Sequence, residues 1–240
     1  MVKEQQKLNR KTISKRKQEF LFPVTGLEPD WIFEDNLSQM GYKFIGGVDD
    51  AGRGPIAGPV FAACVIFHKK INFPGLRDSK TISHKKREAL FKKITLSEFV
   101  SFSVGISTVE EIDRLNILRA TQLAMKRAVE KLEIQPDALL IDGNIPVDGV
   151  NCFQKTVVKG DAKCMSISAA SIIAKVARDR WMNDCASIYP QYNFDIHKGY
   201  GTREHFDLLE KFGPCRIHRK TFAPVKKFFK KGGVLNFEKR

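Results

Sequence analysis

Four aspartates stand where apolar runs end, and this placement carries the main chemical signal of the chain. Phe44-Ile45-Gly46-Gly47-Val48 runs directly into Asp49 and Asp50, followed by Ala51-Gly52-Arg53-Gly54-Pro55. Ala138-Leu139-Leu140-Ile141 ends in Asp142-Gly143-Asn144, and Thr156-Val157-Val158 ends in Lys159-Gly160-Asp161. Taken singly, each Asp suits a turn or a cap. Adjacent carboxylates at the end of a buried strand repel one another and resist desolvation, and a divalent cation between them relieves both costs. Hard oxygen ligands fit Mg²⁺ or Mn²⁺, whereas the cysteines and histidines lack zinc spacing. If Asp49, Asp50, Asp142 and Asp161 converge, they form a site for two divalent ions roughly 3.5–4 Å apart, the arrangement used in phosphodiester hydrolysis.

The elements that must position these acids follow from periodicity. Strand-like runs lie at 44–50 and 58–67, a third at 99–106, and short continuous apolar runs precede Asp142 and Asp161. Continuous apolar runs suit strands buried on both faces, with a polar residue at the carboxyl end. A helix is expected within 30–42. Ser83 caps a basic amphipathic helix to about Ile94, and the capping box Thr108-Val109-Glu110-Glu111 opens a helix carrying Ile112, Leu115, Leu118, Met125, Val129 and Leu132. Ser166 to Trp181 reads as an Ala- and Ser-rich helix that packs closely on a sheet. This order predicts an α/β domain with a mixed sheet flanked by helices and a C-terminal helical appendage from about residue 190. In an open sheet of this kind, ligands gather where neighbouring strands present their ends.

Composition narrows the partners. The 240 residues carry 41 Lys and Arg against 27 Asp and Glu, a net charge of +14. Residues 1–20 contribute +5 and residues 216–240 contribute +8, so the middle is nearly neutral. Basic termini of this kind favour a polyanion such as nucleic acid, with salt-dependent binding. No apolar stretch reaches the roughly 18 residues of a membrane span, and the basic N-terminus lacks the apolar segment of a secretory signal. The five cysteines form no C-x-x-C pair and read as reduced thiols in a cytoplasmic enzyme.

Gly47-Val48-Asp49-Asp50-Ala51-Gly52-Arg53-Gly54-Pro55-Ile56-Ala57-Gly58-Pro59-Val60 closely resembles the first signature of the ribonuclease HII family. Further blocks resemble it in the expected order over about residues 42–226: Asp78-Ser79-Lys80, Leu115-Asn116-Ile117-Leu118, Leu140-Ile141-Asp142-Gly143-Asn144, Val158-Lys159-Gly160-Asp161, Ser168 to Val176 with Arg178-Asp179, His197-Lys198-Gly199-Tyr200 and His218-Arg219. The resemblance implies a ribonuclease-H-like fold and metal-dependent cleavage of the RNA strand in RNA–DNA hybrids, or at single ribonucleotides in duplex DNA, leaving 3′-hydroxyl and 5′-phosphate ends. It implies roles in ribonucleotide removal and primer degradation. Asp49, Asp50, Asp142 and Asp161 fall on the family's metal-binding acids. Gly52, Arg53 and Gly54 fall on its ribonucleotide sensor, Tyr200 on the tyrosine that stacks on the neighbouring deoxyribose, and Ser79 and Lys80 on phosphate contacts. The implied organisation is a basic extension over 1–40, a catalytic domain over 41–226 and a basic tail over 227–240. A monomer is expected.

Two features depart from the family pattern. The second acid is usually glutamate, and here it is Asp50. Its carboxylate sits about 1.5 Å nearer the backbone, so greater tolerance of Mn²⁺ is expected, because Mg²⁺ demands near-ideal geometry. The tail Lys226-Lys227-Phe228-Phe229-Lys230-Lys231 suits non-specific phosphate binding. The alternative partner for this tail is a sliding clamp, although it lacks the upstream glutamine of the usual clamp-binding peptide. The related ribonuclease HIII normally carries a substantial N-terminal domain, and 43 residues precede Phe44 here. The non-enzymatic alternative is a hybrid-binding protein with impaired catalysis.

Overall fold

The computed structural model describes residues 28–76 and 82–230. Five strands form one sheet: β1 (Ile45–Ala51), β2 (Val60–Phe67), β3 (Val100–Ser107), β4 (Ala138–Asp142) and β5 (Phe153–Val157), in the order β3-β2-β1-β4-β5. β1 pairs antiparallel with β2 and β2 with β3, whereas β1–β4 and β4–β5 are parallel. The sheet is mixed, as expected.

The helices are α1 (Ile32–Gln39), α2 (His84–Thr95), α3 (Val109–Leu115), α4 (Ile117–Glu130), α5 (Met165–Ile188), α6 (Phe194–His197), α7 (Arg203–Phe212) and α8 (Ala223–Lys230). α3 and α4 cover one face of the sheet, and α5, joined by α2, covers the other. β2 reads as an unbroken apolar run because both of its faces are covered. Val60, Ala62, Cys64 and Ile66 join Val48, Ile112, Ala124 and Leu139 on the α4 side. Ala63 and Val65 join Leu90, Ile94, Ile172 and Ile173 on the α5 side. Each fully buried Val, Leu or Ile stabilises the fold by about 1.5–3 kcal/mol. α5 comes close enough to the sheet that a Cβ on Gly47 would lie 2.5 Å from Ser166 Cβ. Any side chain at that position would push α5 off β1.

Three elements differ from the sequence expectation. The helix opened by the Thr108 capping box is two helices. It breaks at Asn116, whose φ of 73° is left-handed and whose side chain accepts from Arg119 N–H at 3.1 Å, ending α3 and starting α4. With ψ at 165° this backbone is far from helical and disfavoured for any residue but glycine, so the helix cannot run through it and the break falls there. β5 starts at Phe153 and ends at Val157, so Val158 lies outside it and is exposed. α5 runs on to Ile188, past Trp181.

The C-terminal helical segment begins with a short 3₁₀ turn at Pro190–Tyr192, close to the expected 190. α8 crosses residue 226, and its Phe228 and Phe229 pack in part against Ile56, Leu209 and Val225. These rings are therefore not wholly available to a partner. Residues 1–27 of the N-terminal extension and 231–240 of the tail lie outside the described residues. Among the described residues no helix is long and apolar enough to cross a membrane, and all five cysteines are free thiols.

Candidate active site

The parallel register brings Asp49 and Asp142 side by side. The last pairs between β1 and β4 include Gly47↔Leu140 and Val48↔Ile141, so the next residue on each strand is an aspartate. Successive side chains on a strand point to opposite faces, so Asp49 and Asp50 diverge although they are neighbours in sequence. Asp49 faces α5, where Ser171 hydrogen-bonds to it, and its Oδ1 accepts from Asp50 N–H at 2.7 Å. Asp50 turns instead to Arg53, whose Nε donates to both carboxylate oxygens at 2.9 Å and whose second guanidinium nitrogen also contacts Oδ1.

Asp142 Oδ1 accepts from Gly160 N–H at 2.8 Å. Lys159 is left-handed (φ 56°), and the turn Gly160–Ala162 that follows holds Asp161 at 8% exposure. Asp161 thus stands in sequence one residue beyond the amide that Asp142 grips.

The electrostatics show what this edge requires. Burial pushes the Asp49 carboxyl well above the usual carboxylate range, and the charges of Asp50 and Asp142 push it further. The hydrogen bonds from Ser171 and Asp50 N–H oppose them. Burial alone would lower Arg53, but its hydrogen bond and charge contact with Asp50, together with Asp49 and Asp142, outweigh this and raise it. Asp49, Asp50 and Asp142 thus act on one another, and the Arg53 guanidinium answers them. Among the described residues no three His, Cys, Asp or Glu side chains stand in an ion-gripping geometry as placed. The donor set nevertheless suits a hard divalent cation, because it is carboxylate oxygen throughout and the charges of Asp50 and Asp142 already act on Asp49.

Beside the acids, the loop Gly52–Pro59 and the segment His197–Tyr200 form one unit. Ile56 and Ala57 N–H both donate to Gly199 O, at 2.9 and 3.3 Å. The Tyr200 ring lies next to Gly54, where a Cβ would meet Tyr200 Cε1 at 3.7 Å. Tyr200 is 41% exposed, with Lys175 Nζ 5.7 Å from its ring centre. The sequence-predicted Gly52, Arg53, Gly54 and Tyr200 are therefore brought together beside the acids. Ser79 and Lys80 lie outside the described residues.

Sequence reasoning missed the supports. Arg178 and Arg219 are each fully buried and donate to main-chain carbonyls: Arg178 to Ala57, Pro59 and Lys198, and Arg219 to Gly52, Arg53 and Gly58. Below Tyr200, His205 Nδ1 lies 2.8 Å from Tyr200 O and its Nε2 lies 3.0 Å from His218 Nε2. Burial lowers both imidazoles, to about 4 for His205 and about 3 for His218, so both are neutral near pH 7. Glu34 reaches from α1 to accept from Ser166 N–H and Oγ–H at the start of α5.

A mixed β3-β2-β1-β4-β5 sheet sandwiched by helices, with carboxylates at the ends of adjacent parallel strands, defines a ribonuclease-H-like nuclease. The ribonuclease H2 of Pyrococcus horikoshii shares this fold at 27% identity with a TM-score of 0.64, covering 78% of this chain and 97% of that one. The family model for ribonuclease HII matches residues 46–225. The ribonuclease HII of Caldicellulosiruptor saccharolyticus is 52% identical over 189 residues, 79% of this chain and 91% of that protein. That of Clostridioides difficile is 48% identical over 196 residues, 82% and 76%. The chain belongs to the ribonuclease HII family, and it is a nuclease of the hydrolase class.

Proposed function

We propose that the chain cuts the RNA strand of RNA–DNA hybrids and incises duplex DNA at single embedded ribonucleotides, leaving 3′-hydroxyl and 5′-phosphate ends. The observation that carries this reading is the placement of Asp49, Asp50 and Asp142 in one field, directly beside the Gly52–Gly54 loop and Tyr200. Asp49, Asp50, Asp142 and Asp161 would hold two Mg²⁺ or Mn²⁺ ions, which when bound would supply an acidified water and charge stabilisation at the phosphate.

The remaining work falls to the chain's own residues. Gly52, Arg53 and Gly54 present close main chain to the ribose, where the 2′-hydroxyl distinguishes RNA from DNA. Tyr200, half exposed beside Gly54, offers a flat face to the adjoining sugar. Arg53 neutralises Asp50 until substrate and ions arrive. Ser79 and Lys80 contribute phosphate contacts in this reading, and the basic termini add non-specific affinity for the duplex. The protein acts as a monomer in the cytoplasm, in ribonucleotide removal and primer degradation.

The test is cleavage of a DNA duplex containing one ribonucleotide, in Mg²⁺ and in Mn²⁺, with Asp142→Asn as control. A single cut that Asp142→Asn abolishes supports the reading. No cut in either metal would assign the chain to hybrid binding without catalysis.

A further inference from the structure

We propose that Arg219, buried behind the Gly52–Gly54 loop, is a positioning residue that sets the preference for ribonucleotide over deoxyribonucleotide. This rests on the functional reading above and adds a residue to it. Arg219 is 0% exposed, and its hydrogen bonds all go to main-chain carbonyls: Nε to Gly58 O at 2.9 Å, and its two terminal nitrogens to Arg53 O at 3.0 Å and Gly52 O at 2.6 Å.

Two of these carbonyls belong to the peptides that join Gly52 to Arg53 and Arg53 to Gly54. No peptide bond among the described residues is cis. In a trans peptide the C=O and N–H point in opposite directions. With both carbonyls drawn inward, the N–H groups of Arg53 and Gly54 face outward as two consecutive donors. Such a pair makes a concavity for an electron-rich oxygen. A ribose 2′-hydroxyl presents that oxygen, and a deoxyribose presents only C–H in its place. The buried guanidinium also polarises both peptides, which strengthens their outward donors.

The neighbouring charges fit this role. Burial lowers Arg219 to about 9, with the charge of Arg178 adding to the effect and Asp113 opposing it. Asp113 accepts from Lys220 and Thr221 N–H at 3.0 and 2.9 Å, so the end of α3 anchors the turn that carries Arg219. The Arg53 side chain is engaged with Asp50, which leaves the loop to meet the sugar with its main chain.

Lysine at 219 would keep the charge but lose the planar fork that spans three carbonyls. The experiment measures steady-state cleavage of a duplex with one ribonucleotide, with the matching all-DNA duplex as competitive inhibitor. Their ratio, Ki/KM, is the ribonucleotide preference. Arg219→Lys should lower it about tenfold, the worth of roughly one hydrogen bond. Arg87→Lys, also buried (9% exposed) but held by Ile82 O and Asp179 away from the loop, controls for general destabilisation and should leave the ratio intact. A ratio unchanged in Arg219→Lys, or lowered equally in Arg87→Lys, would overturn the proposal while leaving the functional reading standing. If the unaltered protein fails to cut, the functional reading falls and the proposal falls with it. Should Arg219→Lys fail to fold, the Arg53 and Gly54 amide resonances of the unaltered protein decide the matter. They should shift on adding the ribonucleotide duplex and stay in place with the all-DNA duplex; equal shifts would overturn it.

Discussion

Gly52 and Gly54 flank the same arginine, yet the structure requires glycine at only one of them. Gly52 has a φ of 107°, which costs an ordinary L-residue about 1–2 kcal/mol. A Cβ there would lie 2.7 Å from Arg178 Cδ and 2.9 Å from Pro59 O, with Arg178 Nε closer still. Gly52→Ala must therefore displace the buried Arg178 fork and leave carbonyls of Ala57, Pro59 or Lys198 without their donor. Each buried group so stranded costs about 1–3 kcal/mol. With the backbone strain, the total is about 4 kcal/mol, a large share of a typical stability of about 5–15 kcal/mol. In a domain of this size that lowers Tm by about 8–16 °C.

Gly54 lacks a left-handed φ, and its added Cβ would meet only Tyr200 Cε1 at an ordinary 3.7 Å. Gly54→Ala should melt within about 2 °C of the parent, a change near the size expected for a surface substitution. Any loss of cleavage in that variant then reports on substrate contact. Thermal melting of both variants by circular dichroism is the assay. Equal melting of Gly52→Ala and Gly54→Ala would refute the claim that the loop rests on the buried arginine.

Further predictions concern pH, metal and salt. Burial raises the Glu34 carboxyl to about 7 from 4.5, so the folded state holds a proton that the unfolded chain releases. This contribution is fully present below about 4.5 and is lost as pH rises to about 7, a fall of at most about 3 kcal/mol. Denaturant titrations should show that slope flattened in Glu34→Gln; an unaltered slope contradicts the assignment. Asp50→Glu should lower the Mn²⁺/Mg²⁺ activity ratio, because the longer side chain restores reach toward an octahedral ion. The same ratio in both proteins counts against this account of Asp50. Removing residues 231–240, which leaves α8 whole, should flatten the salt dependence of duplex binding, and an equal slope would remove the tail from the interface.

Much of the acidic edge was legible in the sequence because its signal is local. An apolar run that stops at an acid marks a strand end, which holds for Asp49 and Asp50 on β1 and for Asp142 on β4, whereas Asp161 follows the end of β5 on the turn Gly160–Ala162. Pairing was not legible. That β1 lies beside β4, one residue short of an Asp49–Asp142 pair, depends on long-range register rather than on either segment. The divergence of Asp49 and Asp50 follows from strand alternation once β1 is known to run through both. Arg178 and Arg219 were visible only as parts of motifs. A lone arginine usually reads as a solvated charge, and nothing local says that six carbonyls converge on this pair. The Gly- and Pro-dense stretch 52–59 was the available hint, since such a loop leaves carbonyls that need donors. The break at Asn116 escaped because Leu118 prolongs the spacing of Ile112 and Leu115 across it, although Leu118 is exposed and α4 buries Ala120, Ala124 and Met125 instead.

The central claim is that Asp49, Asp50, Asp142 and Asp161 form one divalent-metal centre. Anomalous diffraction from crystals grown with Mn²⁺ tests it most directly. Mn²⁺ peaks are expected among these four carboxylates, with the Arg53–Asp50 contact loosened to admit the ion. Peaks located elsewhere, with these carboxylates unmoved, would contradict it.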